Sequence, residues 1–436
     1  MKKTIIAFGL LTGLAANLFA GETLRLKLES DRGILLSGSP QEVVVKIDLT
    51  AVGHKKKLKR TPLNLAVVLD RSGSMAGMKI EKARQAAMGL VDQLAPGDFF
   101  SLIAYSDHAE VLVPAQELED KEAIKERISH IHPGGSTALY AGVQLGATQI
   151  QRHQSSRRIN RVILLSDGLA NVGPNMPRDL RQLGHALSER GIAVTTIGVG
   201  DDYNEDLMAG LAEASDANYY YVKDTERLPE IFAKELGELV TVAARELRIE
   251  ILCPHGVQPI GLIGRPEVFA GQKASVLLSQ LALDQNRYLF LRCVVNEAQP
   301  EVAAVTVRYT DELNGGAQES VSERVRVRFT ANRTVAANSE RAEIVAQKEL
   351  LMTAVAKDAA LVEADAGRYQ QAAQTLNRQA IALDGQCLNA PAPMQSQLRL
   401  EAKNLRLRAD QFEQNQYDSG TRKSLQSESW SMRNSK

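Results

Sequence analysis

Leu63-Asn64-Leu65-Ala66-Val67-Val68-Leu69-Asp70-Arg71-Ser72-Gly73-Ser74 decides how the rest of the chain is read. Pro62 precedes a short apolar run, and polar residues follow it. That pattern predicts a buried strand of a parallel sheet over Leu63–Leu69. A carboxylate and two hydroxyls then stand at alternate positions, Asp70, Ser72 and Ser74, on the loop leaving the strand. All three offer oxygen, and none is a soft ligand. Such donors suit a hard divalent cation. Gly73 lets the backbone turn so that both hydroxyls can face one point.

Two later loops strengthen the signal. Gly134-Gly135-Ser136-Thr137 precedes a helical stretch and offers another hydroxyl. Arg161–Leu165 is again a short apolar strand, and it runs into Ser166-Asp167-Gly168. Open α/β sheets bind ligands outside the carboxyl ends of their strands, where Asp70 and Asp167 both fall. The three loops resemble the metal-ion-dependent adhesion site of the von Willebrand factor type A family, which uses Asp-x-Ser-x-Ser, a distant Thr and a distant Asp. The motif maps onto Asp70, Ser72, Ser74, Thr137 and Asp167 with no position missing. A lone Asp-x-Ser-x-Ser is weak evidence, since both residues are common in turns. Three matching loops in order are strong evidence. The resemblance implies Mg2+ at the site, with Mn2+ or Ca2+ as alternatives. It implies Thr137 as a ligand that engages directly in the bound state, and Asp167 as a carboxylate often acting through water.

Strands alternate with helical patterns from Thr61 to Ala243, which implies a doubly wound, mostly parallel sheet. Helices are expected over Met75–Leu94, Glu117–Ile131, Leu139–Arg152, Met176–Arg190, Asn204–Ala214 and Leu228–Val242. Glu110–Val113 reads as an antiparallel edge strand. On either side the pattern is β alone. Leu24–Leu28 and Val43–Leu49 precede the domain; Glu246–Leu252, Val276–Leu283, Arg287–Val295, Val302–Tyr309 and Val321–Phe329 follow it. Asn314-Gly315-Gly316 is a hairpin signal. The flanking strands suggest one antiparallel β-sandwich, residues 21–60 and 244–331, into which the domain at 61–243 is inserted. Secreted bacterial proteins of the resembled family share that plan. Residues 332–410 are helical by composition. Pro391 and Pro393 divide them, and Asp365-Ala366-Gly367-Arg368-Tyr369 resembles one turn of a tetratricopeptide-type pair; a single such stretch is not an array, and a small helical hairpin capping the sandwich is the favoured reading. Residues 411–436 are polar and Ser-rich and read as a disordered tail.

The chain of 436 residues carries no formal net charge, so nothing global points to nucleic acid. Met1-Lys2-Lys3 followed by apolar Ile5–Leu18 and Ala20 reads as a signal peptide over residues 1–20. The expected mature chain is exported, periplasmic or extracellular, with no integral membrane segment. His54–Arg60 is basic and reads as a solvated connection. Cys253 and Cys293 could pair in an oxidising compartment, although a buried free Cys is common in a β core.

The resemblance implies a binding module rather than an enzyme. An open position on the ion accepts an Asp or Glu side chain from a protein partner. Two alternatives carry less weight. One is a scaffold whose metal only stiffens the loops. The other is a metal-dependent hydrolase, against which stands the lack of a His or second carboxylate pair in the three loops; His132 is the nearest in sequence.

Overall fold

The structure, a computed structural model, describes residues 23–53, 60–296 and 299–434. The signal-peptide stretch and most of the basic run therefore lie outside the described residues. β1 (Leu24–Ser30), β2 (Ile34–Leu36) and β3 (Gln41–Ala51) open the fold. β1 and β3 pair antiparallel from Leu24↔Ala51 to Ser30↔Val45. They then wait for partners more than two hundred residues away in sequence.

The chain next enters an α/β domain. β4 (Leu63–Asp70) is buried at every position, as a central parallel strand covered on both faces must be. β5 (Phe99–Tyr105), β6 (Ala109–Glu117), β7 (Ile159–Ser166), β8 (Ile192–Val199) and β9 (Tyr219–Val222) complete the sheet. Its order is β6-β5-β4-β7-β8-β9, with β6 the antiparallel edge. α1 (Met78–Gln93), α2 (Lys121–Ser129) and α6 (Leu228–Val240) cover one face. α3 (Leu139–Arg152), α4 (Pro177–Ser188) and α5 (Glu205–Ala214) cover the other. α2 is shorter than its sequence pattern suggests. β6 runs on through Glu117, and Asp120 then caps the helix by accepting from Ala123 N at 3.0 Å.

β10 (Val242–Leu252) follows α6 almost directly, with β11 (Val257–Leu262), β12 (Lys273–Ala282), β13 (Asn286–Val295), β14 (Glu301–Asp311), β15 (Ala317–Arg326) and β16 (Arg328–Thr330) behind it. Two sheets form, β1-β3-β13-β11 and β12-β10-β14-β15. They share one apolar core that includes Val43, Ile47, Ile249, Leu291 and Val305. The amino-terminal strands thus complete a sandwich interrupted by the α/β domain, as the alternating patterns suggested. β11 is an addition, since the strands expected from the sequence pass from Glu246–Leu252 directly to Val276–Leu283. Cys253, Cys293 and Cys387 are free and buried, so the pairing considered for the first two does not form.

α7 (Arg333–Ala337), α8 (Ala342–Asp365), α9 (Tyr369–Cys387), α10 (Ala392–Glu413) and α11 (Ser419–Arg433) finish the chain. Gly367, at φ +74°, turns α8 into α9, and Pro391 precedes the first turn of α10. The disordered tail expected over 411–436 is corrected. α10 continues to Glu413, and α11 lies across the α/β domain with Trp430 buried among Tyr203, Tyr219 and Leu207. Arg422 donates to Glu205, Asp206 and Asp365, tying that domain to the helices. A polar composition concealed a helix that is stable only when docked. No helix among the described residues is long and apolar enough to cross a membrane.

Candidate metal centre

The carboxyl ends of β4 and β7 are neighbours, because the two strands pair parallel from Leu63↔Ile159 to Leu69↔Leu165. Asp70 and Asp167 therefore emerge side by side, both fully buried. Asp70 Oδ1 accepts from Ser72 N at 2.8 Å, and its Oδ2 accepts from Ser166 Oγ at 2.8 Å. The first bond folds the loop so that Ser72 Oγ and Ser74 Oγ come within 3.0 Å of each other. Ser74 Oγ donates to Asp167 Oδ1 at 2.7 Å, joining the first loop to the third.

The second loop is held just as firmly. Gly73 N donates to Gly135 O at 3.0 Å and Gly134 N to Arg71 O at 2.7 Å, so the first two loops are laced by backbone. Gly135 has φ +82°, and a Cβ there would fall 2.5 Å from the Asp107 carboxylate. Thr137 N donates to Asn171 Oδ1 at 2.8 Å, and Asn171 N returns to Thr137 O at 3.2 Å. Gly168 shows how tightly the hydroxyls converge. A Cβ at that position would lie 3.0 Å from Ser74 Oγ, 3.3 Å from Thr137 Oγ1 and 3.8 Å from Ser72 Oγ. All five residues singled out in the sequence thus meet on one face.

Three supporting residues were missed. Ser166 and Asn171 orient Asp70 and Thr137. Lys79 donates to Asp167 Oδ2 at 2.6 Å from the first turn of α1. An ammonium at a helix amino terminus opposes the helix dipole. That misplaced charge was the signal available in the sequence. His132, by contrast, is exposed on the surface.

The electrostatics favour a cation. Burial pushes the Asp70 carboxyl above its ordinary range, Ser72 and Ser166 pull it back by hydrogen bonding, and the charge of Asp167 adds to the rise. Two buried carboxylates face one ammonium, which leaves negative charge uncompensated. The donors are oxygen throughout, with no His or Cys. Among the described residues no cluster of three or more His, Cys, Asp or Glu gathers elsewhere to hold a metal. The donor set fits a hard divalent cation that keeps part of its water.

The family model described as von Willebrand factor type A domain matches residues 64–234. That stretch of the chain carries a von Willebrand factor type A domain. A cyanobacterial relative from Synechocystis, itself uncharacterized, is 28% identical over 291 residues, covering 64% of this chain and 68% of the relative. Alignments to further curated relatives span 37% or less of those proteins. Among solved structures, a von Willebrand factor type A protein from Catenulispora acidiphila superposes with a TM-score of 0.66 at 17% identity, over 89% of this chain and 96% of that one. The ArnB paralog VWA2 from Sulfolobus acidocaldarius gives 0.63 at 19% identity, over 95% and 99%. At such identities the likeness is one of fold. It reaches beyond the A domain to the sandwich and helices.

Proposed function

We propose that this protein is a metal-dependent protein-binding module, and that Asp70, Ser72, Ser74, Thr137 and Asp167 hold the cation through which it captures an acidic side chain of a partner. The convergence of three hydroxyls on Gly168, between two buried carboxylates, carries the reading. A bound hard cation, Mg2+ by the chemistry of the donors, supplies an electrophilic position that a partner carboxylate oxygen can occupy. The chain's own groups do the rest. Asp70 is held by Ser72 N and Ser166 Oγ, so its oxygens are pre-aimed and little order is lost on binding. Ser74, Lys79 and Asn171 fix the other donors. Few charged ligands leave the cation under-neutralised, which favours an anionic guest.

The basic and apolar stretch over residues 1–20 supports export, so the partner is sought in the periplasm or outside the cell. The test is capture from an envelope extract by the immobilised full chain, with Mg2+ and with chelator. Capture that is lost to chelator, and lost equally in Ser72→Ala/Ser74→Ala, is the expected result. Capture indifferent to both would leave the protein a scaffold whose loops alone are stiffened by metal.

A further inference from the structure

The A domain hides its apolar side chains well, and the exceptions are placed with purpose. Among its described residues, 63–242, the exposed large apolar side chains are Met78 at 56%, Leu169 at 60% and Met176 at 55%. All three lie next in sequence to, or on the same segment as, residues that build the candidate metal centre. Leu169 follows Gly168, the residue packed against the three hydroxyls. Met78 opens α1 beside Lys79, whose ammonium holds Asp167. Met176 caps α4, at the end of the loop that carries Asn171. Chance would scatter three such residues over the whole domain surface. An apolar collar around a polar centre is instead the anatomy of a binding hot spot, where water-excluding contacts surround one specific polar interaction.

Charge narrows the guest further. Asp70 and Asp167 against Lys79 leave a single negative charge, and a divalent cation converts it to a single positive one. One carboxylate neutralises that; a phosphate dianion overshoots it. The two methionines are flexible and polarizable, and so adapt to apolar side chains of varied shape.

We infer that the centre recognises a single Asp or Glu flanked by apolar residues on a partner protein, with Met78, Leu169 and Met176 forming the collar that reads the flanks. The inference rests on the metal-dependent reading above and adds the partner's local sequence chemistry. It also separates two contributions: the cation commits the site to an acid, and the collar supplies most of the discrimination among acids.

The probe is a display library of short random peptides with one fixed Asp, selected on the immobilised full chain in Mg2+. Enrichment of apolar residues next to the Asp is expected, abolished by chelator. The triple variant Met78→Ser/Leu169→Ser/Met176→Ser changes only exposed positions. It should take up Mg2+ like the parent yet bind the enriched peptides at least about tenfold more weakly. Selection of acids with polar flanks, or equal binding by the triple variant, overturns the collar while leaving the metal reading intact. Loss of Mg2+ uptake in the parent itself defeats the underlying reading instead, and the collar falls with it.

Discussion

Two clusters of buried charge in this molecule make a useful contrast. In the helical region Lys357, 1% exposed, donates to Glu401 at 2.6 Å and Glu428 at 2.8 Å, and Arg408 donates to Glu428 at 3.0 Å. Two cations meet two carboxylates. Burial raises the Glu428 carboxyl, but the attraction and hydrogen bonds of Lys357 and Arg408 outweigh it and hold the group below its ordinary range. At the carboxyl end of the A-domain sheet the balance is different. Lys79 pairs with Asp167, while burial leaves the neighbouring Asp70 carboxyl raised. The first cluster is closed and needs nothing. The second carries an unmet charge on a face whose donors are already oriented. A charge cluster with its own counterions is structural; one built short of a cation points to a ligand.

The largest expected effect breaks the closed cluster. Lys357→Met leaves the partly buried Glu401 without this ammonium and Glu428 with Arg408 alone, at a cost of about 1–3 kcal/mol in chemical denaturation. Trp430 is the single tryptophan of the chain and sits on α11, so its fluorescence reports that helix leaving the A domain. The matching change at the open cluster, Asp70→Asn, removes a charge that burial disfavours. It should alter stability in chelator by less than about 1 kcal/mol while abolishing any stabilisation by Mg2+. Equal losses for the two variants would erase the contrast.

Gly168→Ala sharpens it. The added methyl crowds the three hydroxyls, and overpacking of about 1–3 kcal/mol translates to about fivefold to a hundredfold in Mg2+ affinity. Fold and Trp430 fluorescence should be unchanged.

Acid separates the clusters by sign. Glu428 is lowered in the folded chain, so its stabilising share is complete above its unfolded value and is lost as pH falls from about 4.5 through the folded value. Asp365 behaves likewise from about 3.8. Desolvation raises it, but hydrogen bonds from Arg422 and Tyr417 win. Asp70 is raised, so in chelator its contribution improves as pH falls through its folded value. Acid titration should therefore expose Trp430 below about pH 4.5. A modest effect is expected for Arg422→Ala, about 1 kcal/mol, since part of that ion network faces solvent.

The same contrast explains what could be read in the sequence. Asp70, Ser72 and Ser74 are legible because a strand end fixes alternate residues in one loop. Thr137 and Asp167 become legible once their loops are seen to follow the same grammar. The sandwich was readable from period-two strands on both sides of the insertion. α11 was not, because it has little apolar signal of its own. Leu425 and Trp430 are its buried anchors, and its charges are met by Glu205, Asp206, Asp358 and Asp365 from two other parts of the chain. Lys79 and Asn171 belong to the same class: single residues whose meaning depends on a neighbour that only folding supplies.

Isothermal titration of Mg2+ into the full chain tests the central claim most directly. One ion per chain is predicted, with uptake lost in Ser72→Ala/Ser74→Ala while Trp430 fluorescence stays that of the docked helix. No uptake by the parent, or undiminished uptake by the variant, would contradict a cation held on these three loops.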